Sequence, residues 1–284
     1  MTSTAVRIIT DSACDLPDSV IQEYGIEVVP LFIRFGDEEL IDKEQLSTDE
    51  FWRRCATEEG LPSTAAPSPG RFEQAIAKLV SEGAQGIVII NLSGDLSGTL
   101  QSAEVALESS PSAAIVRVVD SRTVSMGLGA IVVACARAAE TGSSLDEVEA
   151  LARTLSHRSQ VWGALDTLEN LKKGGRIGGA KALMGTVLSI KPIIEVRDGV
   201  VHEGGKQRTR SKALSFLVDK VRESMNTGEG VSQLSVLHAA CPDVDAFVDQ
   251  LRAVYPGEIM VGQIGPVVGD HAGRGTIGVA FFQN

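Results

Sequence analysis

The chain has 284 residues, of which 43% are hydrophobic and 4% aromatic, so it can bury a largely aliphatic core in roughly two domains. Its formal net charge of −11 argues against nucleic acid and anionic membrane surfaces as general partners. The four cysteines lie far apart and no histidine spacing suits a metal, so we expect free thiols, a reducing cytoplasm and no metal site. No apolar run approaches ~18 residues and the first residues show no apolar signal region, so we expect neither a transmembrane segment nor a signal peptide.

The first half of the chain alternates strand and helix patterns. Strands are predicted at 6–10, 26–35, 86–91 and 114–120, and helices at 47–60, 71–83, 99–108, 127–142 and 144–158. Pro30 inside its predicted strand indicates an edge or a bulge. The stretch 61–70 contains three prolines and is predicted to be a loop. This alternation predicts βαβ units and a largely parallel sheet.

The pattern changes after residue 158. A strand at 161–166 is followed by a helix, a glycine turn and a second helix over 167–190. Asp198-Gly199, between two alternating runs, predicts a hairpin within 191–205. Helices at 213–225 and near 243–254, together with strands at 234–239, 258–264 and 275–282, complete the pattern. We therefore expect an α/β fold with an N-terminal domain of largely parallel sheet (1–158) and a C-terminal domain of antiparallel or mixed sheet (159–284).

The turn "LSGDLSGTLQSA" (92–103) joins a buried strand to a helix and is a candidate anion site. In an open α/β sheet, ligands bind beyond the carboxyl ends of the strands, where the next helix presents free N–H groups. Ser93 and Ser97 supply hydroxyls, and Gly94 and Gly98 permit close backbone approach. The alternative is that Ser97 only caps its helix.

Three further polar residues lie in predicted loops. Thr64 stands between prolines in "PSTAAP", Arg176 in "KKGGRIGG", and His271 in a glycine-rich turn between two strands. Each has a plain alternative, namely a loop threonine, a solvated charge and a structural histidine. The basic run 206–212 is either a solvated face or a docking patch for a negatively charged partner.

Two other classes of function stay open. An acyl transferase or hydrolase would use Ser97 as nucleophile and His271 as base, with their reacting atoms within about 3 Å. However, "GDLSG" does not match G-x-S-x-G, and no P-loop or dinucleotide fingerprint is present. A module that binds another amphipathic acid is the remaining alternative.

Six motifs, in order along essentially the whole chain, resemble those of the DegV family of bacterial fatty-acid-binding proteins. They are "ITDSACDLP", "PSTAAPSPG", "LSGDLSGTLQSA", "VVDSRTVSMGLG", "LENLKKGGRIGGAKALMGTVLSIKPII" and "GPVVGDHAGRGTIGVAF". No single motif is decisive, but their shared order makes the resemblance specific.

The resemblance implies a lipid-binding function without catalysis by this chain. It implies one long-chain fatty acid, such as palmitate, stearate or oleate, in a tunnel between two domains, and no cofactor. It also implies a partner, the ATP-binding subunit of a fatty acid kinase. The chain would present the carboxylate to that subunit, which phosphorylates it to an acyl phosphate.

The resemblance also assigns roles to individual residues. Thr64 and Ser97 match the hydroxyls that contact the carboxylate, and His271 matches a histidine that supports them. Arg176 would lie near the mouth of the site. Arg208 resembles a basic position before the long C-terminal helix, where partner docking is expected.

Ser93 and Gly98 are expected beside the site, and the sequence departs from the family pattern close to them. Ala65 and Ala66 replace the polar pair of a T-S-Q-P loop, and Gly94 replaces the second serine of an S-S pair. Both departures remove polar groups near the carboxylate. For the tunnel walls, the small-residue segments 127–136 and 182–190 are candidates, with ordinary core as the alternative.

Overall fold

Three β-sheets, with helices packed between and around them, make up the architecture of residues 5–57, 62–108, 110–184, 190–227 and 230–283, which the computed structural model describes. The strands are β1 (Val6–Asp11), β2 (Glu27–Val29), β3 (Phe32–Phe35), β4 (Glu38–Ile41), β5 (Ser63–Ala65), β6 (Gly86–Asn91), β7 (Val116–Asp120), β8 (Ser159–Ala164), β9 (Lys191–Arg197), β10 (Val200–Gln207), β11 (Val231–His238), β12 (Met260–Gln263) and β13 (Ile277–Gln283). The helices are α1 (Asp18–Glu23), α2 (Thr48–Thr57), α3 (Pro69–Ser81), α4 (Thr99–Glu108), α5 (Met126–Glu140), α6 (Leu145–Arg158), α7 (Glu169–Lys173), α8 (Arg210–Met225), α9 (Val244–Arg252) and α10 (Pro266–Ala272).

The N-terminal sheet is parallel throughout, in the order β2-β1-β6-β7. Every residue of β6 is buried, as is usual for a strand covered on both faces by helices. The turn 92–98 therefore leaves the carboxyl edge of a central strand, as the sequence predicts.

The strand predicted at 26–35 consists of two strands that belong to two different sheets, so the prediction of one continuous strand was wrong. Proline has no N–H group to donate to a neighbouring strand, and the strand is interrupted at Pro30. After the break, β3 pairs with β4 and β5 in a small antiparallel sheet. Thr64 lies in β5, opposite Ile33, and not in the loop predicted for 61–70.

The C-terminal sheet has six strands in the order β10-β9-β8-β13-β11-β12. All neighbours are antiparallel except β11 and β12, so the sheet is mixed. Asp198 and Gly199 form the predicted hairpin turn between β9 and β10, with φ values of 52° and 86°. Positive φ at both central residues is typical of the turn that matches the twist of paired strands.

Helix α5 lies between the two large sheets and contacts strands of both. Its residues are almost all buried, and a Cβ at Gly129 would lie 2.7 Å from the carbonyl oxygen of Cys14. One hydrophobic cluster runs from Val6 through α5 to Phe282. The two sheets fall on either side of residue 158, and the boundary between two domains there stays a prediction.

Within the described residues, the region predicted as helix, turn and helix at 167–190 contains one short helix and a 3-10 segment. After α7, a 3-10 segment covers Gly178–Leu183, and residues 185–189 lie outside the described part of the chain. Across the described residues, no helix has both the length and the hydropathy needed to span a membrane.

Candidate functional site

An apolar cavity of about 90 Å³ lies beside the turn 92–98. Its walls come from both halves of the chain, with aliphatic side chains that include Leu31, Leu92, Leu96, Ile194, Val196 and Val201. Its polar lining residues within the described ranges are Thr64, Ser97, Arg176 and His271. The structure thus brings together four residues that the sequence singles out from four distant segments.

Thr64 and His271 form a hydrogen-bonded pair at the cavity. The Oγ1 atom of Thr64 lies 3.0 Å from Nε2 of His271. His271 is in the last turn of α10, so the prediction of an irregular turn there was wrong. Pro266 fits the first helical position, and Gly273, with φ of 81°, ends the helix. These residues start and stop a short helix that a glycine-rich pattern obscures.

His271 is uncharged near neutral pH. Burial lowers the pKa of the imidazole to about 4, and the positive charge of Arg176 lowers it further in the same direction. Its Nδ1 atom is buried and has no hydrogen-bond partner within the described residues. Gly174 packs against this edge of the ring, where a Cβ would overlap Nδ1.

The missing partner at Nδ1 favours one tautomer. A buried N–H without an acceptor is costlier and rarer than a buried acceptor without a donor. We therefore assign the proton to Nε2, which then donates to Oγ1 of Thr64. In this arrangement the hydroxyl hydrogen of Thr64 is free to point into the cavity.

Ser97 combines capping with a position at the cavity. Its Oγ accepts from the backbone N–H of Thr99 at 3.3 Å and lies 2.9 Å from Oγ1 of Thr99. Ser97 therefore bonds the first N–H of α4, but Gly98 directly precedes the helix, so the capping alternative is met only by this local bond. It does not exclude a ligand, because the half-buried hydroxyl also lines the cavity.

Ser93 has a different environment and does not line the cavity. It is fully buried, donates from Oγ to the carbonyl oxygen of Gly199 at 2.7 Å and accepts from the N–H of Asp95 at 3.2 Å. It therefore fastens the turn to the β9–β10 hairpin. Around Gly98, no protein atom lies within 4 Å of a Cβ position, so the described chain does not itself require glycine there.

Gly94 fits tightly in its place. A Cβ at this position would lie 2.8 Å from Cδ2 of Leu100, and its N–H donates to Oδ1 of Asp120 at 3.3 Å. A serine here would have to displace the end of the Leu100 side chain. The side chain of Leu100 therefore fills the space that a larger residue at position 94 would need, which suits the glycine that departs from the family pattern.

Arg176 lines the cavity and is held there by two backbone carbonyl groups. Its Nε donates to the carbonyl oxygen of Leu96 at 2.9 Å, and its Nη1 donates to that of Gly174 at 2.5 Å. A second, polar pocket of about 420 Å³ shares Thr64, Arg176 and His271 with the cavity. The exposed residues Ser63 and Lys173 border this pocket, so the polar groups lie between an apolar interior and the surface.

The geometry does not match a serine nucleophile. Among the described residues, no hydrogen bond joins Ser97 to His271, because Ser97 bonds Thr99 and Nε2 bonds Thr64. The Nδ1 atom also lacks the group that would orient a general base. No group of three potential metal-ligating side chains is found in the described part of the chain.

Two expected features lie elsewhere. Arg208 is exposed after β10, next to the N-cap of α8, and lines neither pocket. Segment 127–136 belongs to α5, which is buried and does not line the cavity, as the ordinary-core alternative predicts. Segment 182–190 falls largely outside the described residues.

The sequence reasoning missed the walls that β9 contributes and one carboxyl group. Ile194 and Val196 are two residues apart, so they share a face of the strand, and this period is visible in the sequence. Asp270, directly before His271, is buried and borders the polar pocket. An acidic residue beside a candidate histidine was the available signal.

The fold and the site define a class of protein, in which an apolar cavity of an α/β fold ends in hydroxyl, imidazole and guanidinium groups. The family model described as "Uncharacterised protein, DegV family" matches residues 5–284, and the chain belongs to the DegV family. The predicted DegV-like fold, with a parallel N-terminal sheet and a mixed C-terminal sheet, is confirmed.

Individual relatives agree over nearly their full lengths. The chain is 36% identical over 280 residues to a DegV domain-containing protein of Streptomyces coelicolor, covering 98% of each chain. It is similar to a DegV family protein from Thermus thermophilus, described for its fatty acid binding, with a TM-score of 0.90, 31% identity and coverage of 98% and 99% of the two chains. It is also similar to DegV of Bacillus subtilis, a fatty acid binding protein, with a TM-score of 0.87, 25% identity and coverage of 99% and 100%.

Proposed function

We propose that this protein binds one long-chain fatty acid, with its carboxylate at the polar end of the cavity and its alkyl chain among the aliphatic walls. The observation that carries the proposal is the cavity itself, whose polar lining residues cluster where the described apolar walls end. Fatty acid binding by the relatives from Thermus thermophilus and Bacillus subtilis supports the ligand class.

The head group requires several donors, because a buried carboxylate is costly unless it is hydrogen-bonded. In our proposal Ser97 and Thr64 each donate a hydroxyl hydrogen to it. His271 stands behind Thr64 and orients that hydroxyl through the 3.0 Å contact. Arg176 supplies positive charge, and the start of α4 adds the positive end of its dipole.

The alkyl chain supplies most of the affinity, since each buried CH₂ contributes about 0.8 kcal/mol. A cavity of about 90 Å³ has room for the first part of such a chain. We therefore expect the walls formed by β9 and β10 to move apart when a whole chain enters. The chain length that fits best depends on how far they move.

The further step is presentation to a kinase. In our proposal a separate ATP-binding subunit docks on the basic run 206–212, with Arg208 as a contact, and phosphorylates the carboxylate to an acyl phosphate. The polar pocket supports this step, because it leads from Thr64 and His271 to the exposed Lys173. The chain itself then binds and positions the acid and performs no chemistry.

Intact mass measured under native and denaturing conditions tests the ligand. A native excess equal to one long-chain fatty acid, lost on denaturation, is the expected result. The Ser97→Ala/Thr64→Ala double variant should lose this excess, whereas Ser81→Ala/Thr154→Ala, which removes two exposed helical hydroxyls, should keep it. Retention of lipid by the first variant would show that the head group binds elsewhere, and an excess that survives denaturation would show covalent chemistry.

A further inference from the structure

Asp270 is a buried carboxyl group beside the proposed head-group site. Its side chain is 5% exposed, and it lies in α10 directly before His271. Its Oδ2 atom is 3.9 Å from Nε2 of His271, the nitrogen that contacts Thr64. The residue borders the same polar pocket as Thr64 and Arg176.

This carboxyl group lacks the donors that the buried carboxyl groups of Asp11 and Asp15 have. Asp11 accepts from the side chain of Asn91 at 2.9 Å and from the N–H of Leu92 at 2.8 Å. Asp15 accepts from Ser125 at 2.5 Å and from the N–H of Gly265 at 2.9 Å. Within the described ranges, no hydrogen-bond donor reaches the carboxyl of Asp270. Asp270 borders the polar pocket, so a group that enters this pocket can supply the missing partner.

An ion pair with His271 does not supply this partner. Burial raises the pKa of Asp270 to about 7, against an opposing effect of Arg176. Burial lowers the pKa of His271 to about 4. The imidazole has therefore lost its charge at any pH where the carboxyl has gained one.

The surroundings of Asp270 place it close to positive charge without pairing it. Lys173 and Arg176 face the polar pocket from α7 and the turn after it. On its other side, a small pocket brings Cys55 of α2 and Arg274 near it. The neighbouring strands add no charge that is free to pair with Asp270. Strand β5 presents Ser63 and Thr64, and the exposed Arg34 of β3 is bound to Glu39. At the far end of α10, Asp15 accepts from Gly265.

We propose that Asp270 shares one proton with the carboxylate of the bound fatty acid and so makes binding proton-linked. This inference rests on the proposed function. Two carboxyl groups in one buried site do not both ionise, as in carboxylate dyads generally. The protonated Asp270 gains an O–H donor, and the ligand carboxylate supplies the acceptor that the described protein does not provide.

The pH dependence has a defined sign. Below about pH 7, Asp270 already holds its proton, so affinity does not change with pH. Above that pH, each binding event takes up one proton from solvent, and affinity falls by up to about tenfold per pH unit. The fatty acid contributes no such slope, because a carboxyl in water, with a pKa of about 4.3, stays ionised throughout.

The test uses cis-parinaric acid, a fluorescent 18-carbon acid, titrated into delipidated protein between about pH 6 and about pH 9. The dissociation constant of the wild-type protein should rise up to about 100-fold between pH 7 and pH 9. Asp270→Asn should bind with nearly the same affinity throughout, and Asp249→Asn, at an exposed position of α9, should behave as the wild type. Calorimetry in two buffers of different ionisation enthalpy should give about one proton taken up per ligand at pH 8 for the wild type alone.

The outcomes separate this inference from the proposed function. Saturable binding with no pH dependence and no proton uptake in the wild type would overturn the role of Asp270 and leave fatty acid binding intact. A slope that persists in Asp270→Asn would assign the proton to another group. No saturable binding at any pH would refute the proposed function, and this inference with it. The calorimetric proton count needs only the wild-type protein, so it holds even if the variant folds poorly.

Discussion

Replacing Ser93 and Ser97 by alanine, one at a time, should separate two roles that serines play in the turn after β6. Ser93 is fully buried and makes two hydrogen bonds within the protein. Its loss leaves the buried carbonyl of Gly199 without a donor, which costs about 1–3 kcal/mol. We expect Ser93→Ala to lower the free energy of unfolding by about this amount.

Ser97→Ala should weaken ligand binding more than it lowers the free energy of unfolding. The lost hydrogen bond with the N–H of Thr99 costs about 1 kcal/mol of stability, the typical net value of one such bond. The lost hydrogen bond to an ionised carboxylate costs about 1.5–3 kcal/mol of binding free energy, which is a roughly 10- to 100-fold weaker affinity.

Two assays on delipidated protein measure the effects on stability and on binding. Urea denaturation gives the free energy of unfolding, and titration with cis-parinaric acid gives the dissociation constant. The reasoning is refuted if Ser97→Ala binds as tightly as the wild type. It is also refuted if Ser93→Ala leaves the unfolding midpoint unchanged, since the contact with Gly199 would then carry no stability.

Two other substitutions test the packing around His271 and the proposed docking contact. Gly174→Ala would place a Cβ 2.8 Å from Cε1 of His271 and closer still to Nδ1, so the ring should turn away from Thr64 and cis-parinaric acid affinity should fall about tenfold. Gly70→Ala in α3, where a Cβ would lie 3.9 Å from Oγ of Ser68, is the control, and equal effects of the two would contradict the packing argument. Arg208→Ala should leave lipid retention unchanged and slow the formation of acyl phosphate when ATP and the ATP-binding subunit are added. The acyl phosphate is trapped as the hydroxamate and measured. An unchanged rate, or an equal loss in an Arg252→Ala control on α9, would exclude Arg208 as the docking contact.

The sequence predicted the features that depend on local chemistry. Asp198-Gly199 specifies its hairpin because the two residues tolerate positive φ, whatever the strands later contact. The buried run of β6 and the turn after it are specified in the same way. These elements placed Ser97 correctly at the carboxyl edge of the parallel sheet.

The errors arose where distant contacts decide the structure. Pro30 is a visible break, but only pairing with β4 and β5 shows that β3 leaves the parallel sheet. The short helix that carries His271 packs on α7 and α2, which a local pattern does not reveal. Likewise, small residues in α5 suit either a tunnel wall or a helix pressed between two sheets, and the sheets decide for the second. Burial of Asp270 comes from the same long-range packing.

The β9–β10 hairpin contacts both the segment proposed to bind the head group and the cavity proposed to hold the alkyl chain. Its turn is fastened to the head-group segment by Ser93 on Gly199 and by Arg122, which donates to the carbonyl oxygen of Asp198 at 2.8 Å. Its strands supply Ile194, Val196 and Val201 to the cavity wall. On the proposed function, a bulkier alkyl chain that pushes this wall outward would also pull on the anchor of the proposed carboxylate-binding turn. The size of the alkyl chain and the geometry of the head group would then be coupled mechanically through one hairpin, and selectivity for chain shape would depend on that anchor as well as on the cavity.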